Sequence, residues 1–173
     1  IVSVALRLEA ALRRGVEVIM VVPGEPEIHV REARRRGERR ELFAQLGVLG
    51  GYNNFRLVGL ASHVGGARHV IYVHDKTMMI DDVWATIGSC NLHAFSLEGS
   101  TEMNCSFHDP DVVRRLRCDL MAEHLGHDVD ALDDRAAMAL MRATADANRY
   151  RHDTDGRDWK GLVFRLDAAT YGE

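Results

Sequence analysis

His74 and Lys76 stand two residues apart near the middle of the chain, and Asp81 follows five residues after the lysine. A Gly88-Ser89-Cys90-Asn91 turn closes the stretch, and a further carboxylate, Glu102, arrives a little later. These residue types suit an anionic phosphodiester. An imidazole titrates near neutrality, so His74 can attack phosphorus, or carry a proton to or from the leaving oxygen. The Lys76 ammonium can stabilise charge on the non-bridging oxygens as they enter the pentacoordinate state. Gly88 lets the chain turn closely, and Ser89 and Asn91 then offer a hydroxyl and an amide as further phosphate donors. Glu102 can accept from the second ring N–H of His74 and hold the imidazole in one orientation. No metal or cofactor is required by this set.

Side chains alternate along a strand, which decides who shares a face. His74, Lys76, Met78 and Ile80 are expected to point one way, and Asp75, Thr77, Met79 and Asp81 the other. His74 and Lys76 then converge on one ligand. Asp81 falls off that face or at the turn, so it is assigned to fixing backbone or neighbouring strands rather than to proton chemistry.

His74-x-Lys76, four residues, Asp81, six residues, Gly88-Ser89-x-Asn91 and then Glu102 form a long, spaced pattern. It resembles the HKD motif of the phospholipase D superfamily. The stretches 84–92, 96–102, 109–117 and 122–126 look like the cardiolipin synthase and phospholipase D branch, and the resemblance runs from about residue 6 to 126. It implies two such motifs facing each other across a two-fold or pseudo-two-fold axis. One histidine forms a covalent phosphohistidine; the other is the general acid and then activates water or an alcohol. Carried over, His74 takes one of those two roles, Lys76 and Asn91 bind phosphate, Ser89 supports the phosphate region and Glu102 orients the imidazole. Asp81 and Gly88 become the structural members of the motif. The implied activity is phosphodiester cleavage or phosphatidyl transfer on a phospholipid. A nuclease of the same superfamily and a non-catalytic scaffold half are the alternatives. Only one His-x-Lys occurs in the chain. The expected partner is therefore a second HKD half, from a missing N-terminal half or a homodimer mate, with this chain resembling the C-terminal half.

Several elements must position these residues. Residues 4–14 place Val4, Leu8, Ala11 and Leu12 at helical spacing, and Gly15 is the expected C′ residue. Residues 16–22 are β-branched and apolar, which predicts a strand buried on both faces. Residues 27–46 are expected to form one helix with a basic middle (Arg31, Arg34, Arg35, Arg36, Arg39 and Arg40), followed by a loop over 47–54. That basic face is either a solvated surface or a contact for phosphate groups. A strand over 55–60 precedes a flexible stretch, 61–68, that includes Gly65 and Gly66. The β region comprises 69–74, 77–81 and 83–87, with Asp81-Asp82 as a hairpin turn, and 102–107 adds a strand. Asp109 as N-cap and Pro110 at the first helical position start a helix that Gly126 stops, with Val112, Val113, Leu116 and Leu120 inward. A second helix spans 130–150, and the rest is a docked tail. The expectation is an α/β fold, a mixed β-sheet flanked by helices on both faces. The phospholipase D-like domain would occupy 1–127, with a helical extension over 128–173.

Composition narrows the partners. The 173 residues carry a net charge of −4, so no global basic field draws the protein to nucleic acid, which disfavours that substrate against a phospholipid. Three cysteines without a close pair give no disulfide framework. Cys90, Met78, Met79, Met138 and Met141 are expected to fill space. Trp159 is expected either to dock on the domain or to touch a membrane interface. His124-x-x-His127 at a helix end is expected to be surface histidines favoured by the helix dipole. The chain opens at Ile1 directly in a helical pattern, which leads to the expectation of further sequence upstream. A bacterial-like protein, cytoplasmic or peripheral at the inner membrane face and touching a membrane surface, fits this set.

Overall fold

Strand β2 (Phe55–Val64) is the element on which two helical layers close. Its side chains alternate, so each face enters a different core. Phe55 and Leu57 join Ala5, Leu12, Leu49 and Ala168. Val58 and Leu60 join Cys118, Met121, Leu125, Val129, Ala137, Met141, Ala145 and Val163. A strand apolar on both faces needs cover on both, which explains the three-layer arrangement. Helices α1 (Val2–Arg13) and α3 (Arg40–Gly50) cover the first face; α5 (Pro110–Leu125) and α6 (Asp134–Asp153) cover the second. The computed structural model describes residues 1–64, 67–153 and 158–173, with backbone alone at 152 and 153.

The first sheet is mixed. β1 (Val18–Val21) runs parallel to β2, with Val18 opposite Phe55 and Val21 opposite Val58. β3 (Ala67–Ile71) and β7 (Val163–Arg165) both run antiparallel to β2. The second sheet is an antiparallel meander of β4 (Thr77–Ile80), β5 (Trp84–Gly88) and β6 (Asn104–His108). Two short helices complete the chain, α2 (Ile28–Arg35) and α4 (Ala94–Glu98). The fold is α/β, with a mixed sheet flanked by helices on both faces.

Several expected elements are redrawn. The long basic helix over 27–46 is two helices. Gly37 (φ +71°) and Arg39 (φ +52°) adopt left-handed backbone between α2 and α3, which ends the first helix. α3 then continues through the expected loop to Gly50, because Leu46 and Leu49 are needed in the α1 core. Residues 61–64 extend β2 and pair with β3, so most of the expected flexible stretch is hairpin strand; Gly65 and Gly66 lie outside the described residues. β1 is half-buried rather than fully buried, being paired only with β2 among the described residues.

Asp109 caps α5 by accepting from Val112 N–H at 3.2 Å, and Gly126 ends the helix at φ +74°. The inward stripe of α5 is Val113, Arg117, Met121 and Leu125, spaced four apart, with Cys118 beside it. Val112 is exposed, since that stripe is rotated to bring Arg117 inward. The tail is more than docked: β7 is a strand of the central sheet. Buried Asn148 of α6 holds it, donating to the carbonyls of Lys160 and Val163, both at 2.7 Å, and accepting from Lys160 N–H. Such a saturated amide is what a fully buried polar side chain requires. Trp159 packs against His63 and Phe164, with ring centroids 4.6 and 5.6 Å away, which places it on the domain.

Candidate active site

The second sheet carries the motif, and a tight turn sets its geometry. Asp81 and Asp82 occupy left-handed positions at φ +51° and +54°, closed by Val83 N–H to the Ile80 carbonyl at 3.0 Å. Short polar Asp tolerates this backbone better than most residues. The two aspartates then diverge. Asp82 accepts a two-pronged contact from Arg117, Nε and Nη2 each at 2.8 Å, with Arg114 at 3.7 Å. Arg117 is 4% exposed, and Asp82 holds its guanidinium further toward the protonated form. The hairpin is thus pinned to α5 through Asp82. Asp81 is exposed and makes no side-chain hydrogen bond or ion pair among the described residues.

His74 and Lys76 lie in the extended connection 72–76, not in a strand as the alternation predicts. The His74 imidazole is exposed and stacks on Tyr72, centroids 5.8 Å apart at 24°. Tyr72 in turn donates its hydroxyl to Glu27. The Lys76 ammonium folds back onto the His74 carbonyl, and the Lys76 carbonyl accepts from Gly88 N–H at 3.2 Å. On the opposite side, Thr77 Oγ1 donates to Asp75 at 2.8 Å. Pleating thus extends into the connection even though ladder pairing starts only at Thr77.

Gly88 sits where the ends of β5 and β6 meet. A Cβ there would lie 2.1 Å from Asn104 Oδ1 and 2.4 Å from the Met103 carbonyl, so only glycine fits. This approach lets Ser89 N–H reach the Met103 carbonyl at 3.0 Å and Cys90 N–H reach Asn104 Oδ1 at 3.3 Å. Ser89 Oγ donates to Glu102 Oε2 at 2.5 Å and accepts from Met103 N–H at 3.1 Å. Its one hydroxyl proton is therefore committed to Glu102. That bond, then the Ser96 hydroxyl, and more distantly the Lys76 charge hold Glu102 below the usual carboxylate range. Glu102 is thus brought to Ser89, Ser96 and Lys76 but not to a hydrogen bond with His74. The side-chain amide of exposed Asn91 makes no hydrogen bond among the described residues and remains available to a ligand.

Two contributors escaped the sequence pattern. Ser96 is 9% exposed and braces Glu102, and Asn104 holds the turn at Cys90. Neither has a signature of its own; both acquire a role only when α4 and β6 fold against the turn. Met78, expected to fill a core, is 49% exposed. It lies on the outward face of the motif sheet with Ile80 and the paired Thr86 and Ser106. Leu92, Phe95, Leu97 and Met103 are also exposed apolar side chains. His124 lies near the Asp75 charge, and burial pushes its imidazole below the ordinary value. Among the described residues, no three His, Cys, Asp or Glu side chains converge as metal ligands.

The family model described as cardiolipin synthase, PLD-like domain, matches residues 2–123. Cardiolipin synthase B of Escherichia coli (strain K12) is 34% identical over 113 residues, covering 65% of this chain and 24% of that protein. The Salmonella typhimurium cardiolipin synthase B is 31% identical over the same length and shares. Phospholipase D zeta 2 of Arabidopsis thaliana is 34% identical over 102 residues, 45% of this chain and 10% of that protein. The chain spans about a quarter of the length of the bacterial relatives it matches.

Proposed function

The chain belongs to the family of cardiolipin synthase PLD-like domains, and on that footing we propose that it forms one half of a phospholipid phosphodiesterase or phosphatidyltransferase. The observation that carries this reading is the placement of His74. Its imidazole stands exposed while the Lys76 ammonium rests on the His74 carbonyl, and the motif sheet that follows has an outward face that this chain leaves uncovered. A second motif-bearing half, from a longer chain or a second copy, would close over that face and supply the other histidine. The greater length of the relatives supports the longer chain.

The chemistry balances with two histidines. One imidazole nitrogen forms a bond to phosphorus as the bond to the leaving alkoxide breaks, and the other histidine, protonated, gives its proton to that oxygen. Water or an acceptor alcohol then attacks phosphorus as the P–N bond breaks, and its proton passes to the second histidine. His74 fills one of these roles. Lys76 and Asn91 hold the non-bridging oxygens, where donors matter most as charge builds. Ser89 acts through Glu102, whose carboxyl it holds below the usual range within reach of the Lys76 charge.

The substrate is assigned to phospholipid, and the location to a membrane surface approached from the bacterial cytoplasm. Among the described residues no helix is long and apolar enough to cross a membrane. The test pairs His74→Ala with two substrates in the protein carrying both halves. His74→Ala is expected to abolish phosphatidylglycerol turnover while the melting temperature stays put. Wild-type rates in a folded variant would sink the site assignment. Cleavage of single-stranded DNA with no lipid product would overturn the substrate.

A further inference from the structure

His93 caps α4 with its ring: Nδ1 accepts from Phe95 N–H at 3.2 Å. A nitrogen that accepts carries no proton, so the neutral ring must bear its proton on Nε2 and donate there. Yet the group facing Nε2 is the Arg39 guanidinium, with Nη2 at 3.3 Å. A guanidinium has five N–H donors and no acceptor. With that tautomer, two donors face each other at hydrogen-bond distance. Protonating the ring only sharpens the mismatch, because it removes the cap and sets two cations together.

Arg39 is held in this place at a cost. Its backbone is left-handed at φ +52°, ψ +29°, a conformation that non-glycine residues adopt sparingly. Three arginines of the basic corner have carboxylate partners, Arg31 with Glu25, Arg34 with Glu173, and Arg36 with Glu32 and Glu38, whereas Arg35 and Arg40 have no ion pair among the described residues. Arg39 has none among the described residues. Converging donors are what an anionic oxygen satisfies, and a guanidinium fork matches phosphate geometry.

The pair also stands beside the motif. His93 follows Asn91 by two residues, and its N–H donates to the Asn91 carbonyl at 2.7 Å. On its other side the His29 ring meets His93 edge-on at 6.4 Å, and His29 contacts Glu27, the acceptor of the Tyr72 hydroxyl that stacks under His74.

We propose that Arg39 and His93 form a second anion subsite that binds a phosphate group beside the reacting phosphodiester. The oxygen accepts from Arg39 Nη2 and His93 Nε2 together. The assignment of this group to the substrate rests on the phosphodiesterase reading above, and a lipid phosphate and free phosphate share the recognised chemistry.

Histidine Cε1–H signals measured by NMR separate the two sites. The measurement is made at about pH 8, where an imidazole is neutral. Titration with inorganic phosphate is expected to move the His93 signal saturably, in the wild type and in His74→Ala alike. In Arg39→Gln the shift is expected to be lost. Arg39→Gly provides the same loss while relaxing the left-handed turn, so a folding defect cannot mimic the result. A short-chain phosphatidylglycerol that reproduces the shift identifies the bound group as a lipid phosphate; a shift with inorganic phosphate alone identifies free phosphate. A His93 signal unmoved by either probe, or one that moves equally in both Arg39 variants, overturns the subsite. Failure of the phosphodiesterase reading shows separately, as turnover that survives His74→Ala.

Discussion

The two sheets of this protein solve opposite problems. The central sheet is covered on both faces, and β2 contributes Phe55, Leu57, Val58, Leu60 and Ala61 as buried residues. The motif sheet is covered on one. Met79, Ala85 and Phe107 turn inward toward α5, whereas Met78, Ile80, Thr86 and Ser106 turn outward, and Ala85 is its only fully buried hydrophobic. The first sheet builds the domain from its own chain. The second leaves an outward face uncovered and is held to the domain through polar contacts such as Asp82–Arg117.

The largest effect expected from disturbing this division is at the tie between the two regions. Asp82→Ala leaves the Arg117 guanidinium buried and unpaired, and is expected to cost about 3–5 kcal/mol in denaturant unfolding. A change below about 1 kcal/mol would mean that the pair is not what holds the hairpin down. Leu57→Ala should cost about 2–5 kcal/mol through its cavity, whereas Met78→Ala on the outward face should stay within about 0.5 kcal/mol. Equal losses measured on the isolated chain would erase the contrast drawn here.

Smaller effects sharpen the electrostatics of each region. Ser89→Ala removes the main cause that keeps the Glu102 carboxylate below its usual range. The carboxyl then takes its proton at higher pH, so the acid limb of the kcat/KM profile is expected to move upward; an unmoved limb would dissociate Glu102 from turnover. On α5, partial burial holds the His124 imidazole below its ordinary value of 6.5. As pH falls below that value the unfolded chain binds the proton first, so this group's contribution to stability is lost on acidification. His124→Gln should therefore show a shallower fall in melting temperature between about pH 7.5 and 5.5 than the wild type. A parallel fall in both would assign the acid sensitivity elsewhere.

Much of this was legible in the chain itself. Local punctuation placed the turn at Asp81-Asp82, the cap at Asp109 and the stop at Gly126, because each rests on backbone preferences of one or two residues. The alternation separated His74 and Lys76 from Asp75 and Thr77, and period two survives into the irregular connection that carries them. The long basic helix was misjudged because Gly37 breaks it only through a φ that composition does not reveal. The tail became a strand because Asn148 and an open edge of β2 offered it partners far away in sequence.

By itself, then, the sequence determined the identity and spacing of the motif residues, the turn at Asp81-Asp82 and the start and stop of α5. These follow from local backbone energetics and side-chain periodicity, which act over a few residues. Only the tertiary structure decided that Asp82 rather than Asp81 carries the tie to α5, that Ser89 and Ser96 brace Glu102, and that Arg39 faces His93. Each of those pairings joins residues whose mutual approach is set by sheet register and helix packing, and no spacing along the chain encodes that distance.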